Sequence, residues 1–223
     1  MPIQITYLGL LDSDRLTGSG RAEAHLCRLA QEVVKAFQGE GGATIELISC
    51  GPNPHSSTVA EGVIRTVLPE YKHPVTAWDS ISWELPKKVA DSDLVHLHEC
   101  FSRTCEVGLL TAKLWRRPVC LTEYGIPGDW LALDLGLAEL ADAVVCHSEK
   151  VARETRTTKR PHIVPCELDI DWLGVPAEWP IPVCRPSPLP TGAQEPRIDY
   201  PAVGQALYHV YRRLLPAARR EAA

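Results

Sequence analysis

The stretch ADSDLVHLHECFSRTCEVGLLTAKLWRRPVCLT, residues 90–122, decides the fold. Asp93–His98 is a short run without turn residues and reads as a strand. Glu106–Trp115 has the length and composition of a helix, and Pro118–Thr122 is a second strand. Most strand candidates in the chain are continuous apolar runs, which marks a parallel sheet covered on both faces.

Upstream, Ile3–Leu10 predicts a first strand, followed by a loop with Thr17, Gly18, Ser19 and Gly20. From Arg21 the apolar residues Ala22, Leu26, Leu29, Ala30, Val33 and Phe37 recur at helical spacing. Gly39, Gly41 and Gly42 end that helix, and Thr44–Ser49 is a strand, giving a βαβ unit with a right-handed crossover. Val63–Leu68 and Val75–Trp78 are weaker strand candidates, and Ile81–Ala90 reads as a helix shortened or kinked by Pro86.

Downstream, Trp130–Ala141 is helical with Asp129 as its N-cap, and Ala143–His147 is a strand. Ser148 caps a helix running to about Thr157, and Ile163–Pro165 is a last short strand. Ten of the nineteen prolines then fall between Pro161 and Pro201, which excludes helix and interior strand there. A final helix starts near Tyr200, with Val203, Leu207, Val210, Tyr211 and Leu214 on one face. The expectation is an α/β fold: one doubly wound, Rossmann-like parallel sheet with helices on both faces over residues 1–166. A Pro-rich linker (167–199) and a C-terminal helix (200–223) that packs back on the sheet domain complete it.

Composition narrows the class. The chain has 223 residues, 45% hydrophobic and 23% charged, enough to bury a large core. A net charge of -5 argues against a nucleic-acid partner. Residues 1–10 lack the basic start of a signal peptide, and no run approaches the ~18 apolar residues of a membrane span. The eight cysteines form no CxxC pair and several sit in apolar runs, so a reducing, cytoplasmic setting is expected.

Candidate site residues follow from strand ends, where a doubly wound sheet binds ligands. Gly18, Ser19, Gly20 and Arg21 open a helix and suit an anion, or a tight turn that needs glycine. The pattern is not GxGxxG, so no dinucleotide fingerprint is present. His96 and His98 share one strand face. With Glu99, Cys100 and Cys105 they suggest a metal site, but the core or cleft-lining reading is preferred and no metal is expected. His98 and Glu99, at the strand's carboxyl end, are the better cleft candidates. Glu123 and Tyr124 end the next strand, where Glu123 suits a general base if desolvated, or a loop cap. His147, Ser148 and Lys150 open the last helix of the sheet as binding candidates, with Ser148 most simply an N-cap.

The ordered set of segments resembles the N-terminal, acceptor-side domain of family 4 GT-B glycosyltransferases. The segments are Gly18-Ser-Gly-Arg21 with its strand and helix, Ala90-Asp-Ser-Asp-Leu-Val-His-Leu-His98, Pro118-Val-Cys-Leu-Thr-Glu-Tyr-Gly125, Ala141-Asp-Ala-Val-Val-Cys-His-Ser-Glu149 and His162-Ile-Val-Pro-Cys-Glu-Leu-Asp169. They span about three quarters of the chain. Tyr200–Leu215 is similar to the helix that closes such enzymes by crossing back onto the N-terminal domain. The resemblance implies a nucleotide-sugar donor such as a UDP- or GDP-sugar, a sugar or lipid-linked acceptor, and peripheral membrane contact at most. It also implies that the Gly18 loop approaches the donor phosphates, and that Tyr124 stands where many relatives place a histidine near the transferred sugar.

The donor-binding domain expected between about 170 and 198 is replaced by the Pro-rich stretch. Cys166-Glu167 departs from the small residue and glycine of the family's hinge. The implied function is therefore half of a sugar-transferring enzyme with little or no activity alone and no cofactor of its own. The alternatives are a non-catalytic subunit pairing with a donor-binding partner or as a homodimer, and an isolated or engineered Rossmann-like module. Arg212, Arg213, Arg219 and Arg220 give the last helix a basic face, solvated or set against anionic lipid.

Overall fold

The computed structural model describes residues 2–9, 21–71, 80–99, 102–124, 136–155, 157–166 and 197–215. Among them the strands are β1 (Ile3–Leu8), β2 (Ala43–Gly51), β3 (His55–Ala60), β4 (Val63–Pro69), β5 (Leu94–His98), β6 (Val119–Glu123), β7 (Ala143–Cys146) and β8 (His162–Ile163). The helices are α1 (Arg21–Ala36), α2 (Leu85–Ala90), α3 (Arg103–Leu114), α4 (Glu149–Glu154) and α5 (Tyr200–Leu214). The strands form one sheet in the order β3-β4-β2-β1-β5-β6-β7-β8. All neighbours run parallel except the β3–β4 pair. The doubly wound, Rossmann-like expectation therefore holds, with one antiparallel edge strand added.

That edge strand, β3, was not anticipated. Its residues His55-Ser-Ser-Thr-Val are exposed on both faces, so it lacks the apolar pattern of the others. It is held by its ladder to β4 and by Ser56 to Thr66 at 3.2 Å. The helix expected from Ile81 begins only at Leu85, because Pro86 sits in its first turn, where a missing N–H costs nothing. The expected helix Trp130–Ala141 and its cap Asp129 fall mostly on 125–135, outside the described residues; Leu137–Leu140 is a single 3-10 turn. The strand Val75–Trp78 and linker residues 167–196 also lie outside. α4 stops at Glu154, short of Thr157, and α5 is described as far as Leu214.

Strand periodicity sorts the side chains into two cores. On one face Leu8, Ile48, Val95, Leu97, Leu121 and Val144 pack under α2 and α3. On the other, Ile5, Tyr7, Ile45, Leu94, Cys120 and Val145 pack under α1 and α5. Helix α1 buries Ala22, Leu26, Leu29, Ala30 and Val33, the positions its spacing predicted, and Gly41 ends the following turn in the left-handed conformation.

The C-terminal helix does pack back. Asp199 caps it by accepting from Ala202 N–H at 3.1 Å, and Val203, Leu207, Val210 and Tyr211 are buried. It lies against α1 through Gly204, where a Cβ would fall 2.6 Å from Cβ of Glu32 and 3.0 Å from its backbone carbon. Tyr208 donates to Glu40 at 2.6 Å and Arg212 pairs with the same carboxylate at 2.8 Å. No helix among the described residues is long and apolar enough to cross a membrane.

Gly204→Val should force α5 off α1 and lower unfolding stability by about 1–3 kcal/mol. Gln205→Ala, one residue on and exposed, should stay within about 0.5 kcal/mol. Urea denaturation of both variants measures the difference; equal midpoints would sink the packing account.

Candidate functional site

Parallel strands deliver their carboxyl ends to one edge, and the order of this sheet reverses direction between β1 and β5. β1 ends at Leu8 and continues to Gly9, whose φ of +88 and close approach to His98 exclude a side chain: a Cβ would lie 2.3 Å from the His98 carbonyl oxygen. β5 ends in His98 and Glu99, β6 in Glu123 and Tyr124, and β7 leads into His147. The fold thus brings together His98, Glu99, Glu123, Tyr124 and His147 from among the sequence candidates.

Glu99 adopts a left-handed backbone (φ 69), unusual for a side chain without glycine's freedom. Its N–H donates to the Thr122 carbonyl at 2.9 Å, and its carboxylate accepts the Tyr124 N–H in a short hydrogen bond. The Glu123 carboxyl is hydrogen-bonded to Glu99. Burial pushes the Glu123 carboxyl above the usual carboxylate range, and the bond to Glu99 offsets part of that. The two carboxyls stand near the start of α3, whose cap Ser102 accepts from Cys105 N–H at 3.2 Å. Cys105 is itself pushed up to about 12 by burial, with Glu99, Glu106 and Glu123 adding to the effect.

Beneath this edge, on the α1–α5 face, lies a layer of buried imidazoles and phenols. Tyr211 of α5 reaches the sheet, its hydroxyl 2.9 Å from that of Tyr7 and in a short hydrogen bond with Nδ1 of His96. Nε2 of His96 lies 2.7 Å from the Thr122 hydroxyl. His98 Nδ1 is 2.8 Å from the Tyr124 hydroxyl, and His25 Nδ1 of α1 is 3.1 Å from the Tyr200 hydroxyl. His147 donates from Nδ1 to the Val164 carbonyl at 3.3 Å, which leaves its Nε2 as an acceptor. The rings touch in sequence, His96 to His98 at 4.0 Å between centroids and Tyr124 to His147 at 4.5 Å. The Nε2 atoms of His25, His98 and His147 have no partner among the described residues.

All four rings are held neutral. Burial, aided by repulsion from neighbouring rings, lowers His25 and His96 to about 3 and holds His98 well below its ordinary value; burial alone lowers His147 to about 4, against the bond to Val164. The Tyr124 and Tyr211 phenols are pushed up, chiefly by the same burial.

The other candidates are placed differently. Gly18, Ser19, Gly20 and Cys100 lie outside the described residues. Arg21 is the first residue of α1 and has an interaction partner. Ser148 caps α4 by accepting from Val151 N–H at 3.1 Å, and Lys150 is exposed on that helix. No group of three histidine, cysteine or acidic side chains among the described residues is arranged to hold a metal. Sequence reading missed Tyr7, His25, Tyr200 and Tyr211 as members of the layer. A histidine at a core-facing position of α1, between Ala22 and Leu26, was the one available signal.

The buried imidazoles make stability depend on pH. Their folded values lie below the ordinary ~6.5, so the unfolded chain binds more protons as pH falls. Stability is full above about pH 6.5 and declines toward the values near 4 and 3. Glu123, raised, acts in the opposite sense, but four rings outweigh one carboxyl. The unfolding free energy from urea titration should fall steadily between about pH 7 and pH 5, by up to ~1.4 kcal/mol per pH unit for each ring, and the midpoint with it. His25→Leu should flatten that slope, and a midpoint independent of pH would refute the neutral layer.

No protein-family model and no curated protein matches the chain. Among solved structures, a sucrose-phosphate synthase from Thermosynechococcus elongatus is similar at 14% identity with a TM-score of 0.52, over 96% of this chain and 99% of that one. A glycosyltransferase from Rickettsia africae gives 14% identity and a TM-score of 0.44, over 76% of this chain and 44% of that one. MurG of Acinetobacter baumannii gives 12% and 0.39, over 74% and 44%. The chain spans less than half the length of these last two. The first supports the conclusion at the level of architecture: this chain has the Rossmann-like α/β fold of a GT-B glycosyltransferase structure.

Proposed function

We propose that the chain is the acceptor-side half of a GT-B glycosyltransferase, holding a hydroxyl-bearing acceptor at the carboxyl edge of β1, β5, β6 and β7. The observation that carries this reading is the pair of Glu99 and Glu123 at the β1–β5 reversal, beside the left-handed turn of Glu99. In transfer, the acceptor oxygen would bond to the anomeric carbon as the bond to the donor phosphate breaks. The acceptor's proton would pass to the Glu123 carboxylate, whose proton affinity burial raises. Tyr124 N–H holds the second carboxyl in place beside it.

The donor would be a nucleotide-sugar, of the UDP or GDP kind, bound by a second domain supplied by another chain or a second copy. Similarity to a sucrose-phosphate synthase structure over 96% of this chain and 99% of that one supports this reading. Positioning both reactants supplies much of the rate of such a transfer, so this half alone should turn over little or nothing. The sealed imidazole–phenol layer favours a second reading, a non-catalytic subunit or scaffold whose strand edge is retained for folding.

Calorimetric titration separates them. The folded chain should bind a hexose or hexose phosphate acceptor, and Glu123→Gln should weaken that binding by roughly tenfold, about 1.4 kcal/mol. UDP- and GDP-sugars should give no heat. Turnover of a nucleotide-sugar by the monomer would overturn the half-enzyme reading; no acceptor binding at all would leave the scaffold.

A further inference from the structure

We infer that Tyr71 and Trp83 form an aromatic platform for a second, non-reacting sugar ring, so that the acceptor is a short oligosaccharide and not a single hexose. Tyr71 is 52% exposed and Trp83 74%, although rings of this size ordinarily bring their area into the core. Their centroids stand 5.5 Å apart at 67°, edge to face, so that the positive rim of one ring meets the negative face of the other. Such a pair fixes both rings and leaves at least one face of each unused.

The rings are held from behind. Tyr71 N–H donates to the Ile81 carbonyl at 2.7 Å, and Ser80 Oγ donates to the Glu70 carboxylate at 3.2 Å, which ties the two ring-bearing segments side by side. Ser80, Ser82 and Leu85 are buried, while Trp83 and Glu84 between them are exposed. Glu84 is the N-cap residue of α2, but its side chain makes no cap bond. Packing accounts for the serines and the leucine; it does not account for an exposed tryptophan beside a carboxylate. A sugar ring does. One face of a pyranose is a row of slightly positive C–H bonds that suits the negative face of an aromatic ring, and its rim of hydroxyls donates to a carboxylate. A second protein is a poorer occupant, because Glu70 and Glu84 would lose their water at the centre of an interface, where charged residues are scarce.

The platform stands at the right edge of the sheet. β4 runs parallel to β2, β1 and β5, so Glu70 and Tyr71 leave it at the same edge as Glu99 and Glu123. Thr104, in the first turn of α3, donates to the Ser80 carbonyl at 2.8 Å and joins the two regions. Three strand spacings separate the ends of β4 and β5, roughly 14 Å. A single hexose does not cover that distance, and a short linear oligosaccharide does. The inference therefore rests on the proposed function: one acceptor unit lies at the carboxyls, and contact of a remote unit with the rings helps orient it.

Calorimetric titration of the full chain with glucose, mannose and galactose, and with a linear trisaccharide of each, tests it. At least one trisaccharide should bind roughly tenfold tighter than its own monosaccharide. Trp83→Ala should return it to the monosaccharide's affinity, and Trp83→Phe should keep most of the gain. Circular dichroism should not change in either variant, because the ring is exposed. Equal affinity for the two lengths, or a gain that survives Trp83→Ala, would overturn the platform and leave the acceptor reading in place. A trisaccharide held through Trp83 but indifferent to Glu123→Gln would support the platform and sink the acceptor reading. No heat from any of the sugars would overturn both, and loss of a dimer in Trp83→Ala in place of sugar binding would overturn the platform.

Discussion

The hydroxyl of Tyr211 is the point on which the described structure closes. It is the only polar atom that α5 sends to the centre of the sheet among the hydrogen bonds described, and it meets Tyr7 and His96 there, 204 and 115 residues away in sequence. Around it the α1–α5 face joins the buried imidazoles and phenols to aliphatic side chains of α1 and α5. A misplaced α5 would strand a phenol on Tyr7 and a ring nitrogen on His96 without partners, each costing about 1–3 kcal/mol. Apolar contact between α5 and α1 supplies most of the attraction, but it tolerates sliding; the hydroxyl fixes one position.

That constraint reaches the strand ends through the rings. His96 continues to Thr122, His98 stacks beside His96 and binds Tyr124, and Tyr124 packs on His147. Side chains alternate along a strand, so the same register that sends His96 and His98 toward α5 sends Val95 and Leu97 into the other core. One residue further, the backbone at Glu99 turns left-handed and its carboxyl comes to rest beside Glu123. His98 therefore belongs to both arrangements: it helps lock the closing helix, and it sets the neighbour of the two carboxyls.

Reading the sequence reached the layers of this fold but not their fastening. The core face of α1 was legible because Ala22, Leu26, Leu29, Ala30 and Val33 repeat with the helix, and β5 because apolar residues bound it without a breaker. β3 was illegible because exposure on both faces leaves a strand no pattern to show. His98, Glu99, Glu123 and Tyr124 could be nominated from strand ends alone, since a parallel sheet gathers those ends at one edge. The partners of Tyr7, His25, Tyr200 and Tyr211 are tertiary, and no local spacing encodes a contact made across most of the chain.

Stability and chemistry can then be told apart. Without α5, the counterparts of Val203, Leu207 and Val210 on α1 and the sheet would be open to water, so its presence follows from the needs of this domain by itself. An intact sheet with its closing helix is thus no argument for catalysis. The left-handed turn at Glu99 is different, because a side chain there costs on the order of 1 kcal/mol that glycine would avoid. Nor does the fold require two carboxyls to share a buried corner, where both lose hydration. Features that stability would remove, kept together at the reversal of the sheet, are where the chemistry of the chain is to be sought.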